Sequence, residues 1–377
     1  MGAVLLTGAT GFVGMELLAR YLERSDRQVY ALVRAPDDEA AAARVRTTLA
    51  SLYGSEDAHP GRVIAIAADI EHEGLGLTPE SRAQLAERVS DIVHAAASVS
   101  FSLPLEESRR VNVVGTRGML ELAHEAERRG GLTRFGHVST AYVAGTHAGE
   151  FLEDQLDVGQ GFRNGYEQSK YEAESLVRQA AERLPVQIFR PSIVVGEQDS
   201  GWTASFNVLY EPMKAFARGA LPLLPARRSA PVDIVPVDFV ADAIYTLATG
   251  PVDGRAETFH LVAGRHATTV GRLAVLGARY FSRREPRVIP PLVYRRLLHP
   301  LLMRGLPERK RRALARSAVY FPYFTMRVAF DDRRARERLE PHGIRVAPLE
   351  SYLDPLVDFA VAANFGRRAI SRFDRRG

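Results

Sequence analysis

The 377-residue chain contains no cysteine. That absence excludes disulfide scaffolds, cysteine-containing zinc sites, redox thiol pairs and every mechanism built on a cysteine nucleophile. Any thioester sulfur must therefore arrive with a substrate. Long hydrophobic runs are also missing: no stretch approaches the roughly 18 apolar residues of a spanning helix. Ala3-Val4-Leu5-Leu6 reads as a buried strand rather than as a leader, so the expected setting is cytoplasmic. Lysine is scarce, with only Lys170, Lys214 and Lys310 among 50 basic residues. A lysine at a motif position therefore carries weight. The ten histidines form no metal-ligand pattern, and His94 and His137 read as structural residues at strand ends.

The remaining composition, 46% hydrophobic and 25% charged, suits a large soluble core, in one domain or in a main domain with a smaller lobe. Net charge is +5, but residues 279–316 hold twelve basic side chains against Glu285 and Glu308. That segment is +10 on a body of −5, which points to an anionic partner or to a solvated helix face. Nucleic acid is not expected, because no recognition motif accompanies the charge.

Short apolar runs alternate with helical periods along the first 200 residues: Val4–Leu6, Gln28–Val33, Val63–Ala67, Asp91–His94, Phe135–Ser139 and Val186–Phe189. Helices are expected at Met15–Arg24, Asp38–Leu52, Arg109–Arg128 and Tyr166–Ala181. This predicts an α/β fold, a doubly wound parallel sheet of Rossmann type with a smaller, mostly helical C-terminal lobe. The expected division places residues 1–196 in the nucleotide-binding domain, with 232–262 returning to it. Residues 197–231, broken by prolines, and 263–377 form the substrate lobe, ending in a frayed basic tail after Phe365.

Gly8, Gly11 and Gly14 fall three apart at the first strand–helix junction, within Thr7-Gly8-Ala9-Thr10-Gly11-Phe12-Val13-Gly14. Glycine permits the tight turn and close backbone approach to a pyrophosphate, and the helix N-terminus supplies free N–H groups. The second strand ends in Arg34, where an NAD site usually places an acidic residue. Arginine there, with Arg44 one helix onward, suits the 2′-phosphate of NADP. Asp69 stands where it can meet the adenine amino group.

Tyr166 and Lys170 form a Tyr-x-x-x-Lys pair at a helix start, and the i, i+4 spacing puts both on one face. About 0.1 such pairs are expected by chance. The ammonium is expected to lower the phenol pKa, and the phenol to protonate or stabilise an oxyanion. Thr140, with Ser139 as alternate, follows the fifth strand and supplies a third hydrogen-bonding group.

These stretches resemble the extended short-chain dehydrogenase/reductases, and within them the thioester reductase and fatty acyl-CoA reductase branch. The resemblance continues through His94-Ala95-Ala96-Ala97-Ser98-Val99-Ser100-Phe101, Val111-Asn112-Val113-Val114-Gly115-Thr116, His137-Val138-Ser139-Thr140-Ala141-Tyr142-Val143, Arg190-Pro191-Ser192-Ile193 and Ile234-Val235-Pro236-Val237-Asp238. It implies a catalytic triad of Thr140, Tyr166 and Lys170. It implies cofactor contacts from Thr7, Gly8, Thr10, Gly11, Phe12, Val13, Gly14, Arg34, Arg44, Asp69, Ile70, Ala95, Ala96, Ala97, Asn112, Ser139, Tyr166, Lys170, Pro191, Ser192 and Ile193.

The implied activity is NADPH-dependent reduction of an acyl thioester, on acyl-CoA or an acyl carrier protein, to aldehyde and in a second cycle to alcohol. The alternative is another member of the extended family acting on a ketone, aldehyde or sugar nucleotide. The chain has no room for adenylation and carrier domains, so its substrate is expected to be activated elsewhere. Residues 279–316 then become a dock for CoA phosphates or a carrier protein, or a peripheral contact with anionic lipid. Tyr320, Phe321, Tyr323 and Phe324 are expected in the core or along an acyl channel.

Overall fold

The computed structural model describes residues 2–376 except 207, 220, 222, 253, 255, 299, 301–303, 306, 309, 310 and 312–319, and the side chain of residue 295. Seven parallel strands form the central sheet: β1 (Ala3–Thr7), β2 (Val29–Val33), β3 (Val63–Ala67), β4 (Val89–His94), β5 (Arg134–Val138), β6 (Val186–Pro191) and β7 (Ala256–Leu261). Their spatial order is β7-β6-β5-β4-β1-β2-β3, so the strand order reverses beside β1. In sheets of this kind ligands bind at the carboxyl ends of the strands near that reversal.

Side-chain alternation explains how both faces are covered. Val4 and Leu6 of β1 join Leu17, Leu18 and Tyr21 of α1 (Phe12–Arg24) and Val45 and Leu49 of α2 (Asp38–Tyr53). Leu5 points the other way, with Leu85 of α3 (Pro79–Arg88) in the cluster on that face. α4 (Leu105–Arg109) leads through a π turn, Arg110–Val114, into α5 (Gly115–Arg129). The sequence places a helix start at Arg109; the chain is already helical from Leu105, and the π turn turns Asn112 inward. Met119 and Ala123 of α5 and Val177 of α6 (Gly165–Ala180) complete that second core. β6 does not stop at Phe189 but runs on to Pro191, since its neighbour β7 continues pairing to that residue.

After β6, the strand Ile193–Val195 pairs in parallel with Ile234–Pro236. Between them the described residues of the proline-broken segment form α7 (Tyr210–Ala217) and two short strands. α8 (Val237–Thr249) then packs Val240 and Ile244 against the sheet beside α1. Further on, α9 (Val270–Tyr280) follows, and strand Arg327–Phe330 pairs in parallel with Ala148–Phe151. The buried Glu153 carboxylate accepts N–H groups from His260, Arg334 and Ala335, capping helix Arg333–Leu339 against β7.

The expectation of a frayed tail after Phe365 is overturned. Arg372 is 2% exposed and pairs with Glu197 at 2.7 Å and with Glu16 of α1 at 3.0 Å. Trp202 donates its indole N–H to the Ile370 carbonyl at 3.0 Å. A run rich in arginine looks solvated in sequence; buried acidic partners from distant segments make it internal.

A second buried ion pair ties α6 to β6. Arg190 donates to both carboxylate oxygens of Glu174 at 2.6 and 3.0 Å, and neither side chain is exposed. Burial pushes the Glu174 carboxyl up, but Arg190 and Arg178 more than offset this and hold it below the ordinary value. Arg190→Met is expected to lower stability by about 3 kcal/mol, because it removes the buried guanidinium that satisfies both oxygens of Glu174 and leaves only Arg178 and Ser139 against that carboxylate. Adding Glu174→Gln should restore much of that loss, as read by urea unfolding of both variants.

Candidate active site

The turn after β1 is built from close backbone contacts. Gly8 has φ +75°, and a Cβ there would meet the Ala96 nitrogen at 2.8 Å. A Cβ on Gly14 would sit 1.9 Å from the Gly8 carbonyl oxygen. Gly11 caps α1 without a side-chain hydrogen bond, which leaves the first-turn N–H groups of the helix facing outward. This cradle fits a pyrophosphate, with Gly11 exposed and Thr10, Phe12 and Val13 partly exposed around it.

Thr7 lies beneath the turn, not on it. It is fully buried, accepts the N–H groups of Ala95 and Ala96 at 3.1 and 3.0 Å, and contacts His94 Nδ1 at 2.8 Å. His94 Nε2 lies 3.2 Å from the Thr116 hydroxyl, which donates to the Asn112 carbonyl. Burial pushes the His94 imidazole down to about 3, so it stays neutral. Thr7 therefore shapes the Ala95–Ala97 wall, whose residues are partly exposed.

At the far end of the cradle, Arg34 is exposed and lies 3.6 Å from Glu71. Arg44 donates to the Arg34 carbonyl and, at 3.3 Å, to the Thr10 hydroxyl. Two guanidinium groups thus stand where β2 ends, within reach of an anionic ribose substituent. The Asp69 carboxylate accepts the Glu71 N–H at 3.0 Å and sits 3.2 Å from His72 Nδ1. Ile70 packs against Gly115 at the start of α5, where a Cβ would meet it at 2.9 Å.

On α6, Asn164 caps the helix by accepting the Glu167 N–H, and Tyr166 and Lys170 follow on the inward face. Burial pushes the Tyr166 phenol up to about 12, opposed by its hydrogen bond with Thr140. Lys170 donates to the Val138 carbonyl at 2.9 Å and lies 3.5 Å from His137 Nε2. Burial lowers its ammonium to about 8, and Glu174 partly offsets the shift. This corrects one expectation. The lysine does not set the phenol pKa: burial of Tyr166 dominates, and the Lys170 ammonium donates to the Val138 carbonyl instead.

Ser139 and Thr140 differ in their hydrogen bonding. Ser139 donates to Glu174 at 2.7 Å and is occupied. Thr140 accepts the Tyr142 N–H at 3.2 Å, makes a long 3.4 Å contact to the Pro191 carbonyl and shares a hydrogen bond with the Tyr166 phenol. Asn112 bonds Ser98 through both amide atoms and reaches Ser169 at 2.9 Å, so it fastens α6 to the loop after β4. Ser192 is tied to Asp233, whose carboxylate also accepts the N–H groups of Ala263 and Gly264. Pro191 and Ile193 are buried at the strand end on either side.

Sequence reasoning missed Glu174 and Asp233. Glu174 lies four residues beyond Lys170 on one helix face, a spacing that could have marked it. Nothing local marks Asp233.

Aromatic rings cover the phenol. Phe101 lies 5.3 Å from the Tyr166 ring and stacks on Tyr323 at 5.0 Å, and Tyr142 meets Tyr323 edge-on at 5.3 Å. In the basic segment, Arg279, Arg283, Arg284, Arg287, Arg296, Arg304 and Arg311 are exposed. Arg309, Lys310, Arg312 and Arg316 lie outside the described residues. Among the described residues no group of three or more metal-ligating side chains occurs, and no helix is long and apolar enough to cross a membrane.

The sequence signature described as Male sterility protein, an NAD-binding family, matches residues 6–244. An isonitrile lipopeptide synthase of Streptomyces coeruleorubidus is 38% identical over 275 residues, 72% of this chain and 18% of that protein. A carboxylic acid reductase of Mycobacterium tuberculosis is 32% identical over 289 residues, 69% of this chain and 24% of that protein. A crystal structure of the terminal R domain from the myxalamid PKS-NRPS biosynthetic pathway superposes with a TM-score of 0.82 at 28% identity, covering 97% of this chain and 92% of that one. The chain thus spans only about a fifth to a quarter of these two curated relatives.

Gly14→Ala is expected to abolish measurable NAD(P) binding in isothermal titration, because the added methyl group must displace the Gly8 carbonyl at the floor of the cradle. Undiminished binding would show that the cradle does not hold the pyrophosphate.

Proposed function

The chain belongs to the NAD-binding family described as Male sterility protein, and on that footing we propose that it reduces an acyl thioester to an aldehyde with NADPH. The observation that carries this reading is the buried Tyr166 phenol hydrogen-bonded to the Thr140 hydroxyl, at the carboxyl edge of a sheet whose first turn admits a pyrophosphate. Gly8, Gly11, Gly14 and the α1 N-terminus hold the pyrophosphate, Arg34 and Arg44 the 2′-phosphate, and Asp69 the adenine. When bound, the cofactor supplies hydride. Ala95–Ala97 and Pro191–Ile193 line the walls that keep water from the reacting carbonyl.

Thr140 and Tyr166 hydrogen-bond the thioester carbonyl oxygen, and their donors strengthen as that oxygen gains charge. Tyr166 gives up its proton there; with its pKa near 12 it is fully protonated at neutral pH. Lys170, charged below about pH 8, holds the ribose hydroxyls and the Val138 carbonyl in one arrangement. The resulting hemithioacetal expels its thiol, and because the chain has no cysteine that sulfur belongs to the substrate. CoA or a carrier protein is the donor, docked against the exposed arginines of residues 279–311. The assay that tests the reading is NADPH oxidation against acyl-CoAs and acyl carrier proteins with product identification. Turnover of free carbonyls without turnover of any thioester would refute it.

Tyr166→Phe is expected to lower kcat by about 100-fold or more while NADPH binding is retained, since only the proton donor is lost. Wild-type kcat/KM should fall as pH rises through about 8, the value to which burial lowers Lys170. Lys170→Arg should remove that limb, because a guanidinium stays charged. Combined Arg34→Ala and Arg44→Ala substitution is expected to reduce the preference for NADPH over NADH by about tenfold or more, in ratios of kcat/KM.

A further inference from the structure

Two turns meet beside Thr140, and one carboxylate joins them. Asp233 lies just before the short strand Ile234–Pro236 and is 5% exposed. The Ser192 hydroxyl and the Ala263 N–H donate to one of its oxygens, Ala263 at 2.7 Å. The Gly264 N–H donates to the other oxygen at 2.9 Å. The Asp233 backbone carbonyl also accepts the Ile193 N–H at 3.3 Å. The turn after β6 and the turn after β7 are thus fastened to one residue. Unlike Glu174, which is held by arginines, this carboxylate is held by a hydroxyl and two backbone N–H groups.

The strand order decides which half of a dinucleotide these turns border. The pyrophosphate cradle follows β1, and Arg34 and Arg44 stand on its β2 side. A dinucleotide anchored there extends its other half across the ends of β4 and β5 toward β6. Pro191-Ser192-Ile193 follows β6, and the Pro191 carbonyl lies 3.4 Å from the Thr140 hydroxyl. Asp233 therefore anchors the wall at the nicotinamide end, far from the adenine.

We infer that Asp233 is a positioning residue for the nicotinamide half of the cofactor. Its ionised carboxylate holds the Pro191–Ile193 turn against the Ala263–Gly264 turn, and the nicotinamide half binds well only in that arrangement. The inference rests on the cofactor placement of the proposed function. Protonation sets an O–H against N–H donors and takes away an acceptor. Burial pushes the Asp233 carboxyl up to about 6; the three donors oppose the shift and Asp332 adds to it. The titratable groups facing it are Asp332, itself 3.1 Å from Arg336, and the Tyr142 and Tyr352 phenols. Burial pushes both phenols up, so they stay neutral. The arrangement is present above about pH 6 and is lost as pH falls through that value.

The test compares NADP+ with 2′-phospho-ADP-ribose, which lacks the nicotinamide, by isothermal titration. Asp233→Asn keeps the side-chain size but sets an amide N–H against a backbone N–H. It should weaken NADP+ by about tenfold and the fragment by less than about twofold. Equal weakening of both ligands marks a general loss of structure, and no weakening of either leaves Asp233 without a role. Both results overturn the inference.

A pH series supplies the second readout. In the wild type the preference for NADP+ over the fragment should fall by about fivefold between about pH 7.5 and about pH 5. The 2′-phosphate is common to both ligands and cancels in that ratio. The ratio should stay flat in Asp233→Asn. A flat wild-type ratio, or the same fall in both proteins, is contrary to the assignment. Should Asp233→Asn not fold, Ser192→Ala cuts only the side-chain link to the β6 turn. It should weaken NADP+ about threefold and leave the fragment unchanged; any other pattern is equally contrary. No thioester enters these titrations. If they run as expected while no thioester is reduced, the thioester reading fails and the Asp233 assignment stands.

Discussion

The buried pair of Glu174 and Arg190 is the constraint on which the geometry of the site depends. Glu174 belongs to α6, which carries Tyr166 and Lys170, and Arg190 belongs to β6, which leads into Pro191-Ser192-Ile193. Ser139 at the end of β5 donates to the same carboxylate, so the residue before Thr140 is fixed by it as well. Arg190 also reaches the Gln155 carbonyl and His260 Nε2, which bind in the segment after β5 and the last strand. One carboxylate and one guanidinium therefore set the separation of the elements that meet around Tyr166 and Thr140. A hydrophobic pair of the same volume could fill the space but could not fix those directions.

The same burial decides the proton chemistry. Removing water from around Tyr166 and Lys170 moves the two pKa values apart, the phenol up to about 12 and the ammonium down to about 8. The phenol remains an acid with its proton in place, and the lysine becomes the group whose charge is sensitive near neutral pH. His94 and His137, held neutral by burial, contribute no competing charge beneath the site.

A similar logic closes the molecule at its C-terminal end. Glu153 caps helix Arg333–Leu339 while also bonding β7, and Arg372 bridges Glu16 and Glu197 under α1. The helix whose N-terminus faces the pyrophosphate cradle is thus braced from below by a residue some 350 positions later in sequence. Through Tyr323, the C-terminal segment also reaches the start of α6 and supplies the aromatic cover of the Tyr166 phenol.

Local rules were enough for the sheet, the glycine turn and the Tyr166/Lys170 pair. Each of these rests on a short-range period: alternation along β1, glycines three apart, and two side chains four apart on one helix turn. The same rules misread the tail at Arg372, whose partners Glu16 and Glu197 lie far away in sequence, and could not show that Thr7 is buried beneath the turn. They also left open the choice between Ser139 and Thr140, and gave the wrong direction for the phenol pKa. Those answers depend on which distant groups converge and how much water they displace. The sequence by itself determined the fold class and the chemical groups available. Only the tertiary structure decided which of those groups are free to act, because desolvation and hydrogen-bond occupancy are properties of the packed chain and not of any segment of it.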